Sequence, residues 1–117
     1  MDVATKQRTE AMEKANLYRK AVSVRRKEIA AMPADEGHQE LADLIEHCED
    51  PALLSGRVSH WLTAPRFSGH QKATRAIAHM NIRRADRRLR DLTPRQREEL
   101  AGIVRARFNI RQWRQAA

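Results

Sequence analysis

Apolar residues recur along this chain mostly at helical spacing, and the breaks between runs fall at Pro, Gly and short polar residues. From about Thr5 to Met32 there is neither Gly nor Pro, and Ala11, Ala15, Tyr18, Val22 and Ile29 draw one stripe, with Arg25 in the slot between the last two. The pattern predicts one long helix that ends before Pro33, because a proline disfavours helical backbone at the residue preceding it. A stripe so thin and Ala-rich predicts a helix that packs on the domain for part of its length and projects for the rest; a coiled-coil pair is the competing expectation. The chain thus divides into residues 1–32, the long helix, and residues 33–117, a helical domain.

After a break at "PADEG", Leu41, Leu44, Ile45 and Cys48 fall on one face of a short core helix. Asp50 and Pro51 mark the start of a one-to-two-turn helix carrying Leu53 and Leu54, with Gly56 as its stop. Val58, Trp61 and Leu62 turn inward in the next segment, which Pro65 ends. Ser68 is placed to cap a helix burying Ala73, Ala76, Ile77 and Met80, and Asn81 suits a left-handed terminator. In "NIRRADRRLRDL", residues 81–92, a helical wheel sets Ile82, Ala85, Leu89 and Leu92 against Arg83, Arg84, Arg87, Arg88 and Arg90. An amphipathic helix is the expectation there. Thr93, Pro94 and Gln96 form a capping-box start for a helix to about Arg107 that buries Leu100, Ile103, Val104 and Phe108; the basic tail keeps Ile110 and Trp113 for docking. About seven helices in one compact all-α domain follow, and low aromatic content (4%) agrees with helix over sheet.

Charge changes the picture because it is uneven. Residues 1–50 hold 8 Lys+Arg against 11 Asp+Glu, a net −3, whereas residues 51–117 hold 15 against 4, a net +11. Fourteen of those 15 cations are arginine, whose planar fork suits phosphate better than an ammonium does. A local surplus of this kind is what a polyanion-binding surface produces. The "NIRRADRRLRDL" face, with Asp86 as the acid among its five arginines, is the first candidate. The second is "FSGHQKATR": a turn ending Ser68-Gly69 and opening a helix directs free backbone N–H groups outward, with Lys72 and Arg75 one and two turns in.

Other chemistry finds little support. His38, His47, His60, His70 and His79 are scattered, without the short pair spacings of zinc sites, so no metal or other cofactor is expected. Cys48 reads as a core residue, since no motif places a base for it and one cysteine allows no intrachain disulfide. Asp86 and Asp91 read as partners of nearby arginines, Glu98 and Glu99 as first-turn acids, and the four isolated glycines form no nucleotide-cradling loop. Neither an enzyme nor a small-molecule substrate is expected. No stretch approaches the roughly 20 apolar residues of a membrane span, and the expected setting is cytoplasmic. Trp61 reads as core, while Trp113 is open between core and base stacking.

The order of a long first helix, then "VSHWLTAPRFSGHQKATRAIAHMNI", then "RRLRDLTPRQREEL" resembles the actinobacterial type of integration host factor, small helical nucleoid-associated proteins with a helix-two-turns-helix motif. The similarity runs from about Glu10 to Phe108 and is firmest from Arg57 onward. It implies duplex DNA binding of weak sequence preference, acting architecturally by compaction or bending, with a part in site-specific recombination or transcriptional regulation. Phosphates would meet the amides of Ser68, Gly69 and His70 and the Arg87, Arg88 and Arg90 cluster, with Lys72, Arg75, Arg83 and Arg84 flanking. The family's turn is richer in glycine, whereas this chain has Arg66, Phe67 and Ser68 there, and "NIRRADRR" is one residue longer. Two other readings stay open: an RNA-binding module of ribosomal-protein type, and a protein-interaction adaptor that pairs through its first helix, with a partner or with itself.

Overall fold

The computed structural model describes residues 2–82 and 87–116. It is all-α: α1 (Val3–Ala31), α2 (Ala34–His47), α3 (Pro51–Leu54), α4 (Val58–Leu62), α5 (His70–His79), α6 (Pro94–Arg105) and α7 (Ile110–Ala116), with a 3-10 turn at Leu89–Asp91. Asp2 caps α1 through its carboxylate, which accepts from the Thr5 amide at 2.7 Å. Only Val22 and Ile29 of α1 are buried, so the first five turns stand out from the domain. The molecule is 59 Å long and 29 by 23 Å in its other dimensions. Ala11 and Ala15 of the expected stripe are exposed and Tyr18 half-buried, in keeping with a helix that packs near its C-terminal end.

The break between α1 and α2 is narrower than "PADEG" suggests. Pro33 alone interrupts the helices, and α2 runs through Gly37, whose missing side chain lets α1 and the α4–α5 turn close in. A Cβ there would lie 3.0 Å from the Ile29 carbonyl and 3.7 Å from Pro65. Leu41, Leu44 and Ile45 of α2 meet Leu100, Ile103 and Val104 of α6 in the core, which Trp61 and Leu62 extend. Cys48 is half-buried at the end of α2. The expected capping box is present at α6, where Thr93 Oγ1 accepts from the Gln96 amide at 3.1 Å and Gln96 Oε1 from the Thr93 amide at 2.9 Å.

Trp61 is fully buried, and its indole N–H donates to the Leu53 carbonyl at 3.2 Å. That ring lies across Gly56, where a Cβ would sit 2.4 Å from the indole nitrogen. Trp113 does the same at Gly102, 2.6 Å from a would-be Cβ, with His79 edge-on at 5.4 Å. Both tryptophans therefore pack over a helix or turn backbone, and α7 is docked through Trp113.

Two expectations need correction. Ser68 does not cap α5: Gly69 holds the N-cap position without a side-chain bond, and the Ser68 hydroxyl donates inward to the Leu62 carbonyl. Residues 81–92 are not one amphipathic helix. Asn81, at φ 56°, ends α5 in the left-handed conformation, as expected, but Arg88 is extended and pairs with Arg57 in an isolated antiparallel bridge. Val58 N–H donates to the Arg87 carbonyl and Leu89 N–H to the Gly56 carbonyl, both at 2.9 Å. These long-range bonds take the place of helical i→i−4 bonds, while Leu89 and Leu92 still reach the core. Arg83, Arg84, Ala85 and Asp86 lie outside the described residues.

His38 is 2% exposed, with Nδ1 2.6 Å from the Ala34 carbonyl. Nδ1 therefore carries the proton and donates, and Nε2 is buried without a partner among the described residues. Burial, aided by Arg107 and Lys72, pushes the imidazole below its ordinary range. A group whose charged form is disfavoured only in the folded state removes stability as pH falls below the unfolded value. Denaturant midpoints should thus decline as pH drops below about 6.5, and His38→Leu should flatten that decline; an unchanged slope in the variant would refute this role. At the Trp61 contact, Gly56→Ala should destabilise by about 1–3 kcal/mol, the usual cost of overpacking, measured by urea unfolding.

Candidate nucleic-acid interface

The turn from α4 to α5 is shaped by three inward anchors. Ala64 and Pro65 are buried, and Ser68 is held by its hydroxyl and by its amide, which donates to the Pro65 carbonyl at 3.2 Å. Ser68 is therefore a support for the turn, and its amide is not free for an external anion as expected. Between these anchors Phe67 is forced to φ 63° and is 79% exposed. A bulky side chain in the left-handed region costs of order 1–2 kcal/mol, a conformation glycine adopts without strain.

Gly69 has ordinary backbone angles, φ −87° and ψ 174°, and a Cβ added there would meet nothing within 4 Å. Neither backbone nor packing requires glycine at this point, so the open space lies on the solvent side. Beyond it, the first amides of α5 lack intrahelical acceptors and no side chain caps them. His70, Lys72 and Arg75 are exposed on that first stretch of helix, and Lys72 Nζ folds back to donate to the Phe67 carbonyl at 3.0 Å. The result is a positively polarised helix end with unobstructed backbone.

The second predicted cluster is broken up in an instructive way. Arg87 and Arg90 are exposed, but Arg88 is half-buried, and its Nη1 donates to the Ser55 carbonyl at 2.6 Å, closing the C-terminal end of α3. Arg88 and Arg90 border a cleft of about 480 Å³ that Arg19 and Arg26 of α1, the α4 N-cap Arg57 and His60 of α4 also line. Among the described residues, no carboxylate lines it. Partial burial, and after it the charges of Arg26 and Arg57, pushes His60 below the ordinary imidazole range. The cleft is lined at α4 by its N-cap Arg57 and by His60, and the Gly69 turn lies beyond the last residue of α4.

Arg19, Arg26, Arg57, Tyr18 and His60 were absent from the sequence-based candidates. Dividing the charge at residue 50 concealed Arg19 and Arg26, because residues 1–50 average two opposite segments. α1 itself holds eight Lys+Arg against three Asp+Glu, and the acids of residues 1–50 are concentrated from Asp35 to Asp50. Those acids face other arginines: Asp43 and Glu46 pair with Arg105 at 2.9 and 2.5 Å, Asp35 with Arg107 at 2.7 Å, and Glu40 with Arg25 at 2.7 Å. The spacing of Arg19 and Arg26, seven apart and beside Tyr18 and Val22, was the available signal.

Comparison with protein-family models, with curated proteins and with solved structures returns no significant match to this chain. Among the described residues, no helix is long and apolar enough to cross a membrane. The residues themselves therefore carry the functional argument. One consequence of the cleft's charge is directly measurable: by NMR titration His60 should have its midpoint below that of a model imidazole, and Arg57→Gln should move it upward. A midpoint at the ordinary value in the wild-type chain would contradict the electrostatics described.

Proposed function

We propose that this chain is a duplex DNA-binding protein of the actinobacterial integration host factor type, architectural and non-enzymatic, holding DNA mainly by its phosphates. The observation that carries the reading is Gly69: a glycine that the fold does not need stands at an uncapped helix N-terminus, where a phosphate can approach the backbone. Arg90, exposed at the cleft, and Arg87, exposed three residues earlier, supply charge-assisted contacts, and His70, Lys72 and Arg75 extend the basic surface along α5. Phosphate contacts position a protein without reading bases, so weak sequence preference follows, suited to compaction, bending or support of recombination in the nucleoid.

Fluorescence anisotropy with a labelled duplex tests this. With roughly five or six phosphates neutralised, log affinity should fall against log salt with a slope near −5. Gly69→Ala should weaken binding several-fold with little change in stability. Arg87→Ala with Arg90→Ala should weaken it by up to about 3–6 kcal/mol, at about 1.5–3 kcal/mol per charge-assisted contact. Arg88→Ala is a poorer probe, since it also releases the Ser55 carbonyl. Salt-independent binding, or preference for duplex RNA or single strands in competition, would overturn the proposal.

A further inference from the structure

We infer that the cleft between α1, the start of α4 and the 3-10 turn is a binding site for a nucleoside polyphosphate, a small ligand beyond the duplex-binding reading. Its charge points there first. Arg19, Arg26, Arg57, Arg88 and Arg90 line one space, and among the described residues no acid does. Elsewhere the chain matches Arg25, Arg105 and Arg107 with carboxylates at 2.5–3.3 Å. Within the cleft one Arg19 donor goes to Asn16 Oδ1 and one Arg88 donor to the Ser55 carbonyl. Arg26 Nε is buried with no hydrogen-bond partner among the described residues. A buried donor lacking an acceptor is destabilising, so Arg26 is held at the cleft wall without a charge partner among the described residues.

Size and shape decide between a strand of DNA and a compact ligand. A space of about 480 Å³ is of small-ligand dimensions. A duplex strand spaces its phosphates at about 3.4 Å of axis each and brings only a few charges to a space of this volume. Five converging guanidinium groups exceed that demand, whereas a triphosphate gathers its charges on one short chain and suits bidentate forks. The α1 wall of the cleft supplies Tyr18 and Val22, an aromatic and apolar surface for a base. Because Arg90 lines the cleft and also belongs to the duplex surface proposed above, a bound nucleotide and a bound duplex oppose each other, and by linkage the antagonism is mutual.

Isothermal titration of the full chain at low salt with ATP, GTP, inorganic tripolyphosphate and adenosine tests the site. ATP or GTP should bind in the micromolar range, tripolyphosphate several-fold more weakly, and adenosine not detectably. Arg26→Gln with Arg57→Gln should weaken nucleotide binding at least about tenfold, and Tyr18→Ala should weaken ATP while leaving tripolyphosphate unchanged. Absence of nucleotide binding below millimolar concentration overturns the inference. So does tripolyphosphate binding as tightly as ATP, or a folded Arg26/Arg57 variant that binds normally. Should that variant fail to fold, amide shifts of the wild-type chain on adding ATP decide: changes at Tyr18, Ser23, Gly56 and His60 support the site, and changes confined to Gly69–Lys72 refute it.

Discussion

Guanidinium groups closing the C-terminal ends of helices hold this fold together. Arg66 donates to the Ala30 and Ala31 carbonyls at 3.1 and 3.4 Å and so closes α1. Arg97 donates to the Ile45 and Cys48 carbonyls at 2.7 and 2.6 Å and closes α2, and Arg88 closes α3 through Ser55. Each meets the negative end of a helix dipole and satisfies carbonyls the helix leaves open. All three come from residues at least 33 positions further along the chain. A helix as short as α3 has no stability of its own in water, so the Arg88 bond, with the core beneath it, holds that turn in place.

The same residue type consequently does two jobs, and burial separates them. Arg97 and Arg88 are half-buried with carbonyl partners; Arg87 and Arg90 are exposed. Arg66 is exposed yet tied to α1, which couples the long helix directly to the turn bearing Phe67 and Gly69. The turn is thus braced from two sides, by α1 through Arg66 and by the end of α4 through Ser68, and Phe67 carries the strain that this bracing imposes.

What could be read from the sequence was what is determined locally. The Thr93 capping box, the Asn81 terminator, the Asp50 cap and the inward face of Trp61 each depend on a few neighbouring residues, and the structure has them. The wheel over residues 81–92 placed Leu89 and Leu92 inward correctly but chose the wrong backbone, because pairing with Gly56 and Val58 is invisible to a local period. Ser68 looked like a cap because its spacing suits one, yet the turn points its hydroxyl at Leu62. The candidate site was legible in part: Gly69, Lys72 and Arg75 stand on an exposed helix end, whereas the α1 contribution to the cleft emerges only when the chain is folded.

The projection of α1 has a kinetic meaning. From Val3 to Val22 the helix extends about 28 Å, at 1.5 Å per residue. Screening at physiological salt sets in over about 8 Å, so Lys6 and Arg8 near the free end of α1 stand more than two screening lengths from Val22, where the helix meets the core. For a polyanion of the kind proposed, such a helix would enlarge the volume of capture and act on the rate of encounter more than on the strength of the final contact.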